Sequence, residues 1–139
     1  FVVRGGYAVP GNFGGGIYAA GASPTIANCL LTENLAASGG GAVWNVFGSP
    51  TFTGCKFDTN EAGYFGGAVG ASTSTSTFVS CVFTNNSSAN GGAVTQFSSD
   101  ARFWNCRFVG NSATIGGGVE AMAFGTAAYV PDKNNEGNG

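Results

Sequence analysis

Four cysteines recur along the chain at nearly constant spacing, and the thiol is the most versatile reactive group that this sequence offers. The steps between them are 26, 26 and 25 residues, and they stand at Cys29, Cys55, Cys81 and Cys106. Four thiolates that converge on one point can hold a zinc ion, and two thiols at a suitable distance can form a disulfide. Which chemistry is open to them depends on how the repeat places their side chains.

Regular spacing places the cysteines in a line rather than around a point. If each occupies the same place in successive turns of a repeat, their side chains run parallel and cannot surround a metal ion. Neighbouring Cα atoms would lie about 4.8 Å apart, which suits a disulfide, but the Cβ atoms would be as far apart, beyond the preferred ~3.8 Å. We therefore expect buried, reduced cysteines that pack as small apolar residues, with no metal and no cofactor; disulfides between adjacent turns are the alternative.

Carboxylates are the second group that could do chemistry. Enzymes that cleave polysaccharides need clustered carboxylates, often together with calcium or a basic residue. Here three acids fall at different positions of the repeat, because Glu33, Asp58 and Glu61 follow the apolar residue after the cysteine by two, one and four places. The chain has no histidine, which excludes Ser-His-Asp triads and imidazole zinc sites. We expect no catalytic site among the seven acids, which are Glu33, Asp58, Glu61, Asp100, Glu120, Asp132 and Glu136.

The elements that position these residues repeat with the same step. Two places after each cysteine comes a large apolar residue, and three places further an asparagine; these pairs are Leu31 and Asn34, Phe57 and Asn60, Phe83 and Asn86, and Phe108 and Asn111. A glycine pair and a branched aliphatic residue follow, ending at Val43, Val69, Val94 and Val119, and an earlier copy ends at Ile17. Such self-similarity predicts a solenoid of about five turns.

Alternation within each copy predicts short strands. The cysteine and the following Phe column should point inward, whereas Lys56 and Arg107, one place after the cysteine, should face water. The residue before the cysteine is Asn, Gly or Ser, which marks a bend between two strands. A third strand should begin after the glycine pair, where positive φ is needed. Three inward ladders are expected, headed by Ile26, Leu31 and Val43, and a polar ladder of Asn34, Asn60, Asn86 and Asn111 should hydrogen-bond from turn to turn.

The alternating Phe-x-x-Asn and Gly-Gly-Ala-Val boxes resemble the repeats of the chlamydial polymorphic outer-membrane proteins, and more broadly the right-handed parallel β-helix of the pectate-lyase superfamily. The resemblance covers roughly residues 14–120, and Leu31 departs from it conservatively. It implies an all-β, right-handed parallel β-helix with 25–26 residues per turn, and surface proteins that are often adhesins. We expect residues 1–13 to form a partial first turn with Val3 in the cysteine column, and residues 121–139 an atypical last turn with a polar tail.

Composition narrows the classes of partner. Only 9% of the residues are charged and the net charge is −2, which gives no basic surface for nucleic acid or anionic lipid. No apolar run approaches the roughly 20 residues needed to span a bilayer. Low charge with abundant Ser, Thr, Asn and Gly is typical of extracellular and cell-surface proteins. Because the sequence does not begin with methionine, we expect a processed chain or a piece of a longer one.

Several surface patterns suggest further roles. The threonines of the Ser-Thr tract at 72–77 would suit ice binding only if they stacked, and Arg102 interrupts the best column, Thr25-Thr51-Thr77. Asn85 and Asn86 each begin a glycosylation sequon, although a polar turn is the simpler interpretation. Tyr18 and Trp44 share an outward column that could contact a sugar or a protein.

The sequence favours a non-catalytic structural or adhesive segment of an extracellular or cell-surface protein. The alternative is a fragment of a carbohydrate-active enzyme, a lyase or hydrolase, whose catalytic turns lie elsewhere; ice binding is a weaker third. Solenoid ends carry unpaired backbone groups, and neither end of this chain encodes an amphipathic capping helix. We therefore expect end-to-end stacking, with identical copies or with further turns of the parent chain, and contacts with surface glycans or with host or neighbouring-cell proteins.

Overall fold

The structure, a computed structural model, describes residues 1–122 and 126–131 and is built from short parallel strands. The alternating apolar residues and the turn formers between them divide each repeat into strands of two to five residues, apart from the longer β15 and β17. The strands are β1 Val2–Arg4, β2 Tyr7–Ala8, β3 Ile17–Ala20, β4 Thr25–Ala27, β5 Leu30–Thr32, β6 Leu35–Ala36, β7 Val43–Val46, β8 Thr51–Thr53, β9 Lys56–Asp58, β10 Glu61–Ala62, β11 Val69–Ser72, β12 Thr75–Val79, β13 Val82–Thr84, β14 Val94–Phe97, β15 Asp100–Val109, β16 Val119–Met122 and β17 Thr126–Pro131.

Three faces wind around a common interior in about five turns. Face A contains β1, β5, β9, β13 and the second half of β15; face B contains β4, β8, β12, the first half of β15 and β17. Face C contains β3, β7, β11, β14 and β16, and a narrow sheet of β2, β6 and β10 lies between faces A and C along the chain. Each strand pairs in parallel with its equivalent one turn away, so the all-β solenoid predicted from the repeat is confirmed.

The corners between faces are made by residues with positive φ. The turn former before each cysteine has φ between 51° and 60° in Asn28, Gly54, Ser80 and Asn105, as the predicted bend requires. The first glycine of each pair is also left-handed; at Gly40 φ is 64°, and a Cβ there would overlap the carbonyl oxygen of Val43. Only glycine combines this conformation with this close approach. The corners thus explain why the glycine boxes recur once per turn.

The interior is filled by stacked rings. The face A rings of Phe57, Phe83 and Phe108 lie 4.7 Å apart and within 3° of parallel. The face B rings of Phe52, Phe78 and Phe103 lie 5.0 Å apart and are nearly parallel. Rings of the two faces meet edge to face at 5.4–6.3 Å. These six side chains are fully buried, and both arrangements are among those that aromatic quadrupoles favour.

The first turn differs from the prediction in its register. Val3 pairs with Leu31, not with Cys29, so it continues the Phe column of face A rather than the cysteine column. The reason is a longer connection, since six positions separate Ala8 from Gly14, whereas four separate the equivalent Ala36 and Gly40. Two extra residues in that loop shift everything before it by two places.

The last described turn continues face B. In β17, Tyr129 is the pairing partner of Phe103, so the strand pairing of face B extends into the segment that the sequence assigned to an atypical last turn. The polar residues predicted after Pro131 lie outside the described residues. No helix long and apolar enough to cross a membrane occurs in the described part of the chain.

Candidate functional site

The predicted asparagine ladder forms the corner after face A. Each asparagine follows a residue with positive φ, which turns its side chain into the solenoid. The side-chain Nδ2 donates to Oδ1 of the next asparagine at 3.0, 3.0 and 2.9 Å along the series Asn34, Asn60, Asn86 and Asn111. The same Oδ1 atoms accept the backbone N–H of the preceding asparagine at 3.0–3.1 Å. These amides therefore serve the backbone of a buried corner and leave no polar atom for a ligand.

The cysteines form a ladder of thiols along the corner between faces B and A. Cys55 donates to the carbonyl of Ile26 at 3.3 Å, and Cys81 and Cys106 donate to the equivalent carbonyls of Phe52 and Phe78 at 3.4 Å. Hydrogen bonding with the Cys106 and Cys55 thiols, reinforced by burial, raises the pKa of the Cys81 thiol. A thiol that stays protonated in this way is a poor nucleophile and a poor metal ligand.

Cys29 departs from the expected burial. Its side chain is only partly buried, and it donates to a carbonyl of its own turn, that of Ala27, at 3.2 Å. The shifted register of the first turn explains this, because Val2 pairs with Leu30 and Phe1, whose carbonyl accepts the Leu30 N–H, therefore stands next to Cys29. Phe1 is fully exposed and does not bury the sulfur, so Cys29 is the most accessible thiol of the four.

The carboxylates are dispersed, each with its own surroundings. Glu33 forms an exposed ion pair with Arg4 at 2.6 Å, and Asp58 lies 3.6 Å from Lys56. A 2.6 Å hydrogen bond from Thr84 holds the pKa of the Asp58 carboxyl below its usual value, and the Lys56 charge adds to this. Among the described residues no three His, Cys, Asp or Glu side chains could hold a metal ion together. Asp132 and Glu136 lie outside the described residues.

Glu61 borders a shallow depression of about 460 Å³ beside the narrow sheet. Small and hydroxyl-bearing residues complete its lining, with Ser87 and Ser112 in the same column as Glu61. The Ser88 hydroxyl points back to the carbonyls of Asn90 and Gly91 rather than into the depression. One carboxylate among alanines and serines supplies neither a general acid–base pair nor a cation site.

The prediction that Trp44 shares an exposed column with Tyr18 is half wrong. The two residues do pair in register, and Tyr18 is 57% exposed, but Trp44 is only 6% exposed. The Trp44 indole packs against Gly70 of the next turn, where a Cβ would overlap the ring. Phe13 covers it from one side at a centroid distance of 4.2 Å, and Phe97 approaches at 6.2 Å. The absence of a side chain at Gly70 therefore lets an outward tryptophan become buried.

Trp44 is the centre of a continuous aromatic surface on the outside of face C. Further ring contacts join Phe97 to Phe65 at 4.7 Å and Phe65 to Tyr64 at 6.1 Å. A depression of about 550 Å³ is lined by Tyr7, Phe13 and Tyr18, with Asn12 at its edge. We call this surface the aromatic face; it comprises Tyr7, Phe13, Tyr18, Trp44, Tyr64, Phe65 and Phe97.

The aromatic face is also free of charge. The four strands beneath it read IYAA, VWNV, VGAS and VTQF, and face C acquires its first charged residue at Glu120 in the fifth turn. Charged residues of the earlier turns lie on faces A and B or beside them, as with the pairs Arg4–Glu33 and Lys56–Asp58. The asymmetry has a signal in the sequence that the alternation pattern does not use: segments 7–22, 35–50, 62–76 and 87–99 contain no charge at all.

The structure also places the two other surface candidates, the threonine column and the two glycosylation sequons. Arg102 pairs with Thr77 in the Thr25-Thr51-Thr77 column, so the threonine row is interrupted as the spacing indicated. Asn86 is fully buried in the asparagine ladder, whereas Asn85 is exposed at the corner with φ of 54°. Of the two sequon asparagines, only Asn85 could carry a glycan on the folded chain.

Comparison with known proteins agrees with the parallel β-solenoid architecture. The profile of the family described as "right handed beta helix region" matches residues 6–135. Searches of curated proteins and of solved structures found no match. The narrower likeness to the chlamydial repeats stays a prediction. Because the family match covers nearly the whole chain and the strands wind as a parallel solenoid, this protein belongs to the right-handed parallel β-helix family.

Proposed function

We propose that this chain is a non-catalytic structural and adhesive segment of an extracellular or cell-surface protein, and that the aromatic face is its contact surface. The observation that carries the proposal is the continuity of seven aromatic residues on a face without charge. Contiguous apolar patches on soluble proteins mark interaction sites more often than isolated apolar residues do.

The chemistry of this surface suits sugar rings. Tyr7, Tyr18 and Tyr64 are 57–60% exposed, and each offers an apolar ring beside a hydroxyl group. Aromatic rings stack against the C–H face of a pyranose, and hydroxyl and amide groups such as that of Asn12 can bond its hydroxyls. A surface glycan is therefore the partner that we propose for the depression between Tyr7 and Tyr18.

The absence of a catalytic role is part of the proposal. It is supported by the distribution of the carboxylates. Glu33 and Asp58 each lie beside a basic side chain, and Glu61 is the one carboxylate that lines its depression. Cleavage of a polysaccharide by the isolated chain, lost on replacing Glu61 with glutamine, would contradict this part.

Binding to immobilised cell-surface polysaccharides tests the adhesive role. Tyr18→Ala should weaken binding at least tenfold, because it removes one wall of the depression. Trp104→Ala is the matched control, since Trp104 is an aromatic residue of similar exposure (49%) on face B, away from the depression. Equal loss in both variants, or loss in neither, would refute the aromatic face as the contact surface.

End-to-end stacking is the structural half of the proposal. Strands β1 to β4 each pair on one side only, so their outer edges carry unpaired N–H and C=O groups. We propose that these edges pair with preceding turns of the parent chain or with an identical copy, in a head-to-tail contact that does not close.

Adjacent residues of β1 provide a matched test of stacking. Val3 points into the interior column of Leu31, so Val3→Lys would bury a charge in a stacked interface. Val2 is 60% exposed and points outward, so Val2→Lys should be neutral. Sedimentation velocity over a range of concentrations should show elongation in wild type and Val2→Lys and a monomer in Val3→Lys. A wild-type chain that stays monomeric at high concentration would refute the proposal.

A further inference from the structure

Two amide side chains in the interior of face C lack partners. The third residue of each face C strand belongs to one column. In this column Asn45 and Gln96 alternate with Ala19 and Ala71. Asn45 is 1% exposed and Gln96 is 0% exposed. None of their four side-chain N and O atoms has a hydrogen-bond partner within the part of the chain that the structure describes.

Burying the amides of Asn45 and Gln96 without hydrogen bonds is unfavourable unless a further ligand supplies them. A buried amide left without hydrogen bonds loses the hydration that it has in the unfolded chain, and native proteins satisfy nearly all such groups. The asparagine ladder at the corner after face A shows how this solenoid satisfies buried amides when they occupy successive turns, with hydrogen bonds of 2.9–3.0 Å. Asn45 and Gln96 cannot do the same, because Ala71 stands between them.

Ala71 is the pairing partner of both residues. Its methyl group is much smaller than the amides one turn before and one turn after it, and it is itself 2% exposed. Adjacent turns lie about 4.8 Å apart, so the two amides are roughly 10 Å apart along the axis, too far for a direct bond in register. The Ala71 methyl group therefore lies between two buried amide side chains, one in the turn before it and one in the turn after it.

The same turn supplies a third polar group. Ser76, 1% exposed, follows the corner after β11, and its hydroxyl is 3.4 Å from that of Ser74. The Ser74 proton is directed to the carbonyl of Gly48 at 2.8 Å, so the Ser76 hydroxyl has acceptor capacity to spare. The equivalent of Ser76 one turn later is Ala101, which has no polar side chain. The third turn thus combines the small interior residue Ala71 with a buried hydroxyl that can accept a further hydrogen bond.

We propose that the interior of the third turn is a binding site for ordered water, one or two molecules held beside Ala71 by the side-chain amides of Asn45 and Gln96 and by the Ser76 hydroxyl. Water is the ligand class that fits, because a buried polar cavity takes up water whereas an apolar cavity stays dry. Two amides and a hydroxyl supply the two to four hydrogen bonds that a buried water makes. The remainder of the aromatic core is dry by the same reasoning.

Ala71→Asn tests the site, because an amide at this position would displace the water and join Asn45 to Gln96 in a continuous ladder. Ala68→Asn is the matched control: Ala68 is a fully buried alanine of the same turn, and its column continues through Ala42 and Ala93, with no unpaired amide. Water-oxygen-17 relaxation dispersion counts long-lived internal waters, and thermal unfolding reports stability.

We expect a long-lived internal water in wild type that is lost in Ala71→Asn, with Tm raised by about 2–4 °C. Ala68→Asn should lower Tm and retain the water signal. The wild-type measurement stands even if a variant fails to fold. A wild-type chain without long-lived internal water would overturn the proposal, and so would a signal that persists unchanged in folded Ala71→Asn.

Discussion

Replacing Asn60 with alanine should cost more than its single side chain suggests, because four hydrogen bonds pass through that amide. Its Oδ1 accepts the backbone N–H and the Nδ2 of Asn34, at 3.1 and 3.0 Å. Its Nδ2 donates to the carbonyl of Leu31 at 2.9 Å and to Oδ1 of Asn86 at 3.0 Å.

The expected loss of stability follows from the partner atoms that Asn60→Ala leaves without a hydrogen bond. Two of the partner atoms keep another bond, since Asn34 Nδ2 also donates to the Val3 carbonyl and Asn86 Oδ1 also accepts the Asn60 N–H. The backbone N–H of Asn34 keeps none, and a buried unpaired donor costs about 1–3 kcal/mol. With the weakened ladder we expect Asn60→Ala to lose roughly 2–4 kcal/mol of unfolding free energy. A chain of this length has about 7–20 kcal/mol in total.

Urea unfolding measures this loss, because a slope of about 2 kcal/mol/M, the middle of the range for small proteins, converts it into a midpoint lower by about 1–2 M. Hydrogen exchange adds a local readout: the Asn34 amide should be protected in wild type and exchange rapidly in Asn60→Ala. Asn12→Ala is the control, since Asn12 is exposed, and should change stability by less than about 0.5 kcal/mol. If Asn60→Ala unfolds at the same urea concentration as Asn12→Ala, the ladder does not stabilise the corner as argued.

Three further perturbations probe other parts of the molecule. Gly70→Ala should expel the Trp44 indole that lies over it, lower stability by about 1–3 kcal/mol and red-shift tryptophan fluorescence, so an unchanged spectrum would contradict the packing described. The lowered pKa of Asp58 means that its stabilisation is present above the ordinary carboxyl pKa and is lost as the pH falls through the lowered value. Thr84→Val removes the main cause of that shift, so acid titration of unfolding should show a smaller loss for this variant than for wild type. Native-state thiol labelling followed by mass spectrometry should modify Cys29 first, and faster labelling of a later, buried cysteine would contradict the first-turn register.

The repeat made much of the fold readable without coordinates. Because parallel strands stack equivalent residues directly over one another, a fixed step of 25–26 residues sets the register of every later turn, and with it the Phe, Asn and Cys ladders. Alternation within a strand then decides which side chains face inward, as for Phe57 and its exposed neighbour Lys56. The positive-φ corners before the cysteines and at the glycine pairs follow from the Gly, Asn and Ser residues at those places, whereas those at Glu33, Thr59 and Thr73 do not follow from residue type.

The exceptions arose where contacts between turns, rather than position within a turn, decide the environment. Two extra loop residues moved Val3 into the column of Leu31 and left Cys29 partly uncovered. Trp44 has the parity of a surface residue, but a glycine one turn later and Phe13 from the turn before bury it.

The buried amides of Asn45 and Gln96 also have surroundings that position in the repeat does not determine. The sequence places Asn45 and Gln96 in the interior column, but whether a buried amide finds a partner depends on its neighbours one turn away. Asn45 lies between Ala19 and Ala71, and Ala71 is also a neighbour of Gln96. Sequence periodicity therefore determined the solenoid, its ladders and its corners. Only the tertiary structure decided which side chains of the repeat meet across turns, because burial and hydrogen bonding depend on atoms that lie far apart in the chain.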